Sequence, residues 1–243
     1  MIYKTIQFGE GKYCVRSITR TEDQIQAYTL RHHVFSQTLK WVPASKNGLD
    51  VDPYDLFAMT LGLFSEFGEL LGLVRILPPH RPFMLEREFR SLVPTGYRVR
   101  KERDTVELSR LVMAPSLRHK GALSWKLSKL LYKGVYQWSM INRVNYIYLV
   151  VEKRVLRALS YSGFHCKPIG PSVKLQGGVE SVAGLLDWTD FQCQHQNTRR
   201  IFFEWMTTAQ STSDSWPEPQ HDHALMLETL KEYSGHEISR SVH

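Results

Sequence analysis

The chain has 243 residues, 42% hydrophobic and 23% charged, an ordinary balance for a protein that buries a core, so disorder throughout is excluded. Lys and Arg total 31 against 24 acidic residues, a formal charge of +7, which suits a polyanionic or acidic partner and equally a solvated basic surface. Cys14, Cys166 and Cys193 show no Cys-x-x-Cys spacing, and no run has the length or apolarity of a signal peptide or membrane span, so we expect no zinc site, no disulfide framework, no membrane association and a cytoplasmic location.

Residues 2–8 (IYKTIQF) alternate apolar and polar, which predicts a half-buried strand, with a second short one over 15–20 (VRSITR). Thr21-Glu22-Asp23 reads as a helix start, and Ile25, Tyr28, Leu30, Val34, Phe35 and Leu39 recur at helical spacing, predicting a helix over 23–40 that ends at Trp41-Val42-Pro43. Asn-Gly and Asp-Pro make 44–54 (ASKNGLDVDPY) a loop able to fold over a site. Strands are expected over 56–65 and 70–77, joined by a hairpin at Phe67-Gly68-Glu69, and a third over 105–113. Prolines 78, 79 and 82 interrupt the chain before a short helix over 85–91. A basic loop at 117–121 leads into a helix over 122–142 with a stripe of Leu123, Leu127, Leu130, Leu131 and Val135. A strand at 146–151, a helix at 155–163 and a last strand region complete a mixed α/β or α+β order without internal repeats. From about Thr207 the composition turns to Ser, Thr, Pro, His and Gln and predicts a flexible tail over 207–243, with a marginal helix at 224–233.

Five stretches carry groups with chemistry. Asp52 and Asp55, in Asp-Pro-Tyr-Asp, are able to hold an organic cation, ligate a metal or cap a turn; with no His or Cys at usable spacing, metal ligation is the weakest of the three. Arg31 and Phe35 share a helix face, with Trp41 just beyond, so the rings either face a cationic ligand or belong to the core. In 106–111 (VELSRL), alternation puts Glu107, Ser109 and Leu111 on one face and Leu108 and Arg110 on the other, so Glu107 and Arg110 meet only through a bulge or a splayed strand end. Arg75, inside an apolar strand, needs a partner if buried. Arg118 to Ala122, with Gly121, opens a helix and forms either an anion site or an ordinary helix entry.

In order, Arg31, Phe35, Trp41, Asp52, Asp55, Arg75, Phe89, Glu107, Ser109 and Arg110 resemble the acyl-homoserine-lactone synthases, the autoinducer synthases of quorum sensing, in residue type and spacing. The match is close over about 25–115 and looser to about 205, and the 118–122 loop resembles the Arg/Gln-x-x-Gly-x-Gly/Ala loop of GNAT acyltransferases, with Leu123 in place of the second glycine. The resemblance implies a single GNAT-like domain over 1–206, a three-layer sandwich whose twisted mixed sheet is flanked by helices, with a substrate lid over about 21–55. It implies transfer of an acyl group from acyl carrier protein or acyl-CoA to the amine of S-adenosylmethionine, then lactonisation with release of methylthioadenosine, and no cofactor, metal or nucleic acid. Glu107, Ser109 and Arg110 would be catalytic. Arg31, Phe35, Trp41, Asp52, Asp55 and Arg75 would bind S-adenosylmethionine, and Phe89, Met113, Arg118, Gly121 and Ala122 the acyl or pantetheine part. Leu149 and Phe164 would add to the acyl wall. Lys120, Lys126, Lys129, Lys133, Lys153, Arg154 and Arg157 would offer an acidic carrier protein a basic face. The alternatives are an N-acyl amino acid synthase or exosortase-associated acyltransferase with a free amino acid as acceptor, and a non-catalytic basic binding protein, which lacks any RNA-binding motif here.

Overall fold

The structure, a computed structural model, describes residues 3–175 and 178–208, which form two compact units: 7–74 with 110–131, and 3–6 with 75–109 and 132–208. In the first unit, β1 (Gln7–Glu10) and β2 (Tyr13–Ser17) form an antiparallel hairpin with Phe8 opposite Val15. The turn needs a left-handed residue and has Gly11 at φ 61°. β2 pairs antiparallel with β3 (Met59–Ser65), and a turn at Phe67-Gly68 leads into β4 (Leu70–Leu77). Beside the start of β4 lies the end of β5 (Thr105–Met113), with Ala114 N–H donating to Leu71 O at 2.8 Å.

α1 (Thr21–Arg31) continues as a π-helix over His32–Thr38. An α-helix would bury only one stripe of this segment; the wider π turn buries His32, Val34, Phe35 and Ser36 together. Val34 and Phe35 join Ile18, Ala27, Phe64, Leu70, Leu73 and Val112 in the core of this unit. The expected helix over 23–40 is therefore helical over almost its full length but changes type at His32. It ends with Lys40 in the left-handed region at φ 58°, which turns the chain so that Trp41 N–H donates to Phe35 O at 2.8 Å.

In the second unit, the start of β5 pairs parallel with β6 (Tyr146–Glu152), Glu107 opposite Tyr148. β6 is antiparallel to β9 (Glu180–Asp187), which also pairs with β7 (Cys166–Pro168) and β8 (Val173–Lys174). A parallel neighbour requires a crossover, and α2 (Gly121–Ile141) supplies it between β5 and β6. The strands are thus mixed and alternate with helices, the α/β organisation expected. α3 (Lys153–Tyr161), α4 (Trp188–Thr198) and α5 (Arg200–Thr207) follow, and Asp187 caps α4 by accepting from Thr189 N–H at 2.8 Å. Phe164, Trp188, Phe191 and Phe202 pack edge to face and stacked at ring separations of 5.3 to 6.4 Å.

Three expectations are corrected. The helix over 85–91 is instead two single 3-10 turns, Met84–Glu86 and Arg90–Leu92, because the Met84 and Leu85 N–H groups turn toward the Glu107 carboxyl. The last strand region resolves into β7, β8 and β9 and is followed by two helices; the second includes Thr207, where the tail was placed. The rest of that tail, with its expected helix at 224–233, lies outside the described residues. Among the described residues no helix is long and apolar enough to cross a membrane.

Gly184 sits in β9 where a Cβ would lie 2.4 Å from Cys166 Sγ and 3.5 Å from a Leu156 methyl, so Gly184→Ala is expected to cost about 1–3 kcal/mol from overpacking. Adding Cys166→Ala, which removes that sulfur, is expected to recover at least half of the loss. Thermal unfolding of the two single variants and the double variant checks the coupling.

Candidate active site

In the 44–56 loop, Leu49 and Val51 pack on Tyr28 of α1, Tyr54 is buried as well, and Asp50 N–H donates to Tyr28 O at 3.1 Å. Charge adds to this. Arg31, 1% exposed, donates from Nε to Asp50 Oδ2 at 3.0 Å and from both terminal nitrogens to Asp55 at 2.7 and 3.0 Å. Arg110 donates to Asp50 Oδ2 at 3.0 Å and to Asp52 Oδ2 at 2.9 Å. Asp50 is therefore shared between two guanidiniums. Burial alone would raise its carboxyl, but Arg31 and Arg110 outweigh it and hold it below the usual carboxylate range. The same carboxylates hold Arg31 well above its ordinary value.

Asp52 and Asp55 also cap the 3-10 turn Pro53–Leu56. Asp52 accepts from Tyr54 N–H at 2.9 Å, and Asp55 from Asp52 N–H at 2.8 Å. Turn capping and cation binding, posed as alternatives from sequence, are carried by the same two side chains, the cations being guanidiniums of the chain. Arg110 has φ 53° in the middle of β5. A left-handed arginine breaks the strand's alternation, so which face Arg110 takes no longer follows from counting. It is held there by the Asp50 and Asp52 bonds and by Phe35, whose ring centroid lies 5.4 Å from its guanidinium carbon. Phe35 is buried and lies 6.1 Å, ring to ring, from Trp41, which is 45% exposed. Phe35 is thus core and cation neighbour at once, and Trp41 covers it from the solvent side.

Met113, half-buried, lies over the bare backbone of Gly72, where a Cβ would come within 2.6 Å of its sulfur. Arg118, Gly121 and Ala122 are exposed at the entry to α2, with Gly121 at φ 38°. Of the amides in this loop, Arg118 donates to Pro115 O, Lys120 to Leu117 O and Leu123 to Lys120 O, each at 2.9 to 3.0 Å. Leu123, at the position of the missing glycine, therefore uses its N–H to close the turn rather than offering it to a phosphate.

In the other unit, Glu107 is 1% exposed and accepts from Met84 N–H at 2.6 Å and Leu85 N–H at 3.0 Å, one on each oxygen. Burial pushes its carboxyl from 4.5 up to about 8, and the two amides, Arg75 and Lys101 offset only part of that rise. Arg75, fully buried, donates from Nε to Ser109 Oγ at 3.0 Å and approaches Met84 Sδ at 3.3 Å. Phe89 is half-buried and is tied to the same turn by its N–H, which donates to Met84 O at 3.0 Å. Glu107, Arg75, Ser109 and Phe89 thus form one neighbourhood around Met84.

Asp50 is the member of the acidic loop not singled out from sequence. The spacing of 50, 52 and 55 in a turn-rich loop was the available signal; its sharing by two arginines was not. The Met84 and Leu85 amides carry no side-chain signal at all. Among the proposed surface cations Lys133 is corrected: it is 4% exposed, with Nζ 4.8 Å from the centre of the Trp205 ring, so it serves packing in this unit rather than a partner. Phe164 likewise lies within the aromatic cluster. Among the described residues no group of three or more His, Cys, Asp and Glu is placed to hold a metal.

Residues 16–195 match the family described as autoinducer synthase. The acyl-homoserine-lactone synthase of Rhizobium radiobacter is 32% identical over 164 residues, covering 66% of this chain and 76% of the relative. That of Agrobacterium fabrum is 30% identical over 183 residues, covering 71% and 86%. Among solved structures, the AHL synthase LasI has a TM-score of 0.64 at 22% identity, over 73% of this chain and 91% of the other. The CoA-dependent acyl-homoserine lactone synthase BjaI, solved with SAM and isopentyl-CoA, has 0.64 at 20% identity, over 84% and 88%. At these identities the structural likeness establishes the GNAT-like mixed α/β fold. Family and relatives together establish the activity: the chain belongs to the autoinducer synthase family and is an acyltransferase of the acyl-homoserine-lactone synthase class.

Proposed function

We propose that the chain acylates S-adenosylmethionine on its α-amine, with Glu107 as the base, and then closes the lactone. The observation that carries this reading is the environment of Glu107. A carboxyl raised to about 8 is poised to take a proton from an ammonium near neutral pH, directly or through a water, because a general base works best with a pKa near the working pH. Loss of that proton lets the amine nitrogen attack the thioester carbonyl. The thiol then departs with a proton, leaving an amide. In the second step a carboxylate oxygen of the methionyl group attacks its own γ-carbon, the carbon–sulfur bond breaks, and the sulfonium leaves as neutral methylthioadenosine. That step is intramolecular and needs little beyond orientation.

The acidic loop suits a doubly cationic acceptor. Asp52 and Asp55 supply the carboxylate field, Arg31 keeps that loop in place, and Phe35 and Trp41 present ring faces to a sulfonium. Arg75, Ser109 and Arg110 position the reacting groups. Backbone amides around Leu111 to Met113, beyond the left-handed Arg110, are the donors assigned to the tetrahedral oxyanion. Phe89 and Met113 flank the acyl chain, and the Arg118 to Ala122 turn receives the pantetheine arm. Lys120, Lys126, Lys129, Lys153, Arg154 and Arg157 would meet an acidic carrier protein, while acyl-CoA would use the turn alone. The donor is settled by mass spectrometry of protein incubated with S-adenosylmethionine and a panel of both thioester types. Methylthioadenosine together with an acyl-homoserine lactone is expected; thioester consumption only on addition of free amino acids would overturn the proposal.

Glu107→Gln is expected to lower kcat at least 10²-fold, and the wild-type rate should rise with pH through about 8 while the variant's residual rate stays flat. The same group makes a stability prediction. Its folded pKa lies above the ordinary 4.5, so the folded state binds more protons than the unfolded one between about 4.5 and 8. Stability therefore falls as pH rises across that interval, and thermal unfolding of Glu107→Gln should lose this slope.

Asp50 works in the opposite sense. Its folded carboxyl is held low, so its contribution is complete at neutral pH and is lost as pH falls through the folded value. Asp50→Asn leaves two guanidiniums under-compensated and is expected to cost about 3 kcal/mol. It should also weaken binding of a non-reactive S-adenosylmethionine analogue more than tenfold by titration calorimetry. Wild-type binding in a folded Asp50→Asn protein would remove the loop from the acceptor site.

A further inference from the structure

Lys101 lies in the loop before β5 and belongs to none of the motifs singled out from sequence. It is drawn in from solvent by three contacts. Its Nζ donates to Glu86 Oε2 at 2.7 Å and to Arg81 O at 2.7 Å, and stands 3.4 Å from the centre of the Phe83 ring. Glu86 in turn accepts from Phe83 N–H at 2.9 Å through the same oxygen, closing the 3-10 turn Met84–Glu86. Phe83 is fully buried and its ring lies 6.2 Å from that of Tyr148, the register partner of Glu107. The Met84 and Leu85 amides that grip Glu107 are thus the first two of a turn fastened at both ends by one ammonium group.

From this geometry we infer that Lys101 is a positioning residue for the acylation: through Glu86 and Phe83 it fixes the turn that orients Glu107, and it supplies a positive charge that favours the ionised carboxylate. The charges acting on Glu107 are Arg75 from β4 and Lys101 from this loop, both favouring the carboxylate. Glu86 is the carboxylate paired with Lys101, at 2.7 Å. Arg75 is committed to Ser109 Oγ and the Met84 sulfur inside the unit. Lys101 is half-buried, with 28% of its side chain exposed, and burial already lowers its own pKa against the pull of Glu86. Its charge is therefore the part of the Glu107 environment most readily changed without opening the core.

This inference rests on Glu107 as the base, and the two are separable. Lys101→Gln keeps donors for Glu86 and Arg81 O but removes the charge. Lys101→Arg keeps the charge. The Glu107 carboxyl is followed by ¹³C NMR across pH, assigned by its disappearance in Glu107→Gln, alongside the pH profile of kcat. The expected result is that Lys101→Gln moves the Glu107 titration upward by at least half a pH unit, lowers kcat severalfold at pH 7 and recovers most of it at pH 9, while Lys101→Arg returns the titration toward wild type. An unmoved Glu107 titration in folded Lys101→Gln would overturn the inference, as would a loss of rate that is flat with pH. A titration that moves while Glu107→Gln retains full activity would uphold Lys101's action on Glu107 and remove Glu107 from the base role.

Discussion

A guanidinium buried as deeply as that of Arg31 must be met by anions, because an uncompensated charge in a protein interior costs more than most folds can sustain. Asp50 and Asp55 meet it from the 44–56 loop. The arrangement is one of specificity more than of stability. A buried ion pair roughly offsets its own desolvation, but any other placement of the 44–56 loop would leave Arg31 unanswered. The consequence reaches β5, since the same Asp50 and the neighbouring Asp52 also receive Arg110. A left-handed arginine in the middle of a strand persists only when its surroundings over-determine it, and here two carboxylates and the Phe35 ring do so. The helix end, the acidic loop and the bend in β5 are therefore one electrostatic unit.

Much of this framework was legible because it rests on period and punctuation. β4 and β5 run over the segments their apolar patterns mark, and α2 begins one residue before its expected start, at a glycine that the loop needs for its positive φ. Arg31 with Asp55, and Arg75 with Ser109, are pairs of residues whose types demand partners. What could not be read was geometry set by tertiary contact. The change from α to π at His32 follows from burying four of five neighbouring residues, a demand the sequence states only as hydrophobicity. Arg110 gives no local sign of a left-handed φ. Lys133 reads as a surface charge on a helix until Trp205 arrives from a distant segment to cover it. α4 was missed because its stripe of Trp188, Phe191 and His195 is diluted by Gln, Thr and Asn; His195 is 2% exposed and its Nε2 lies 2.6 Å from Gly163 O.

Asp50 and Glu107 are nearly equally buried, yet they lie on opposite sides of their ordinary values. Burial raises both. What separates them is the kind of donor. Asp50 faces two full positive charges at contact distance, while Glu107 faces two amide dipoles, with its cations further off. Two neutral donors do not offset the desolvation of a carboxylate in a dry site, whereas two guanidiniums more than do so. The chain thus holds one carboxylate low through paired guanidiniums and another high through burial, the division that the proposed mechanism uses for architecture and for the base.

The division also explains why Glu107 is gripped by backbone rather than side chains. A contacting arginine would orient the carboxyl equally well, but it would hold the group ionised with its basicity spent. Amides orient without supplying charge, so orientation and proton affinity become independently adjustable. Orientation is then set by where the Met84–Glu86 turn lies, and proton affinity by how dry the site is and by the cations standing just outside contact. A more distant charge acts weakly through the low-dielectric interior, yet a shift of one pKa unit corresponds to only about 1.4 kcal/mol. Small changes at the edge of the turn are therefore enough to move the Glu107 carboxyl, the base of the proposed mechanism, across the range near neutral pH.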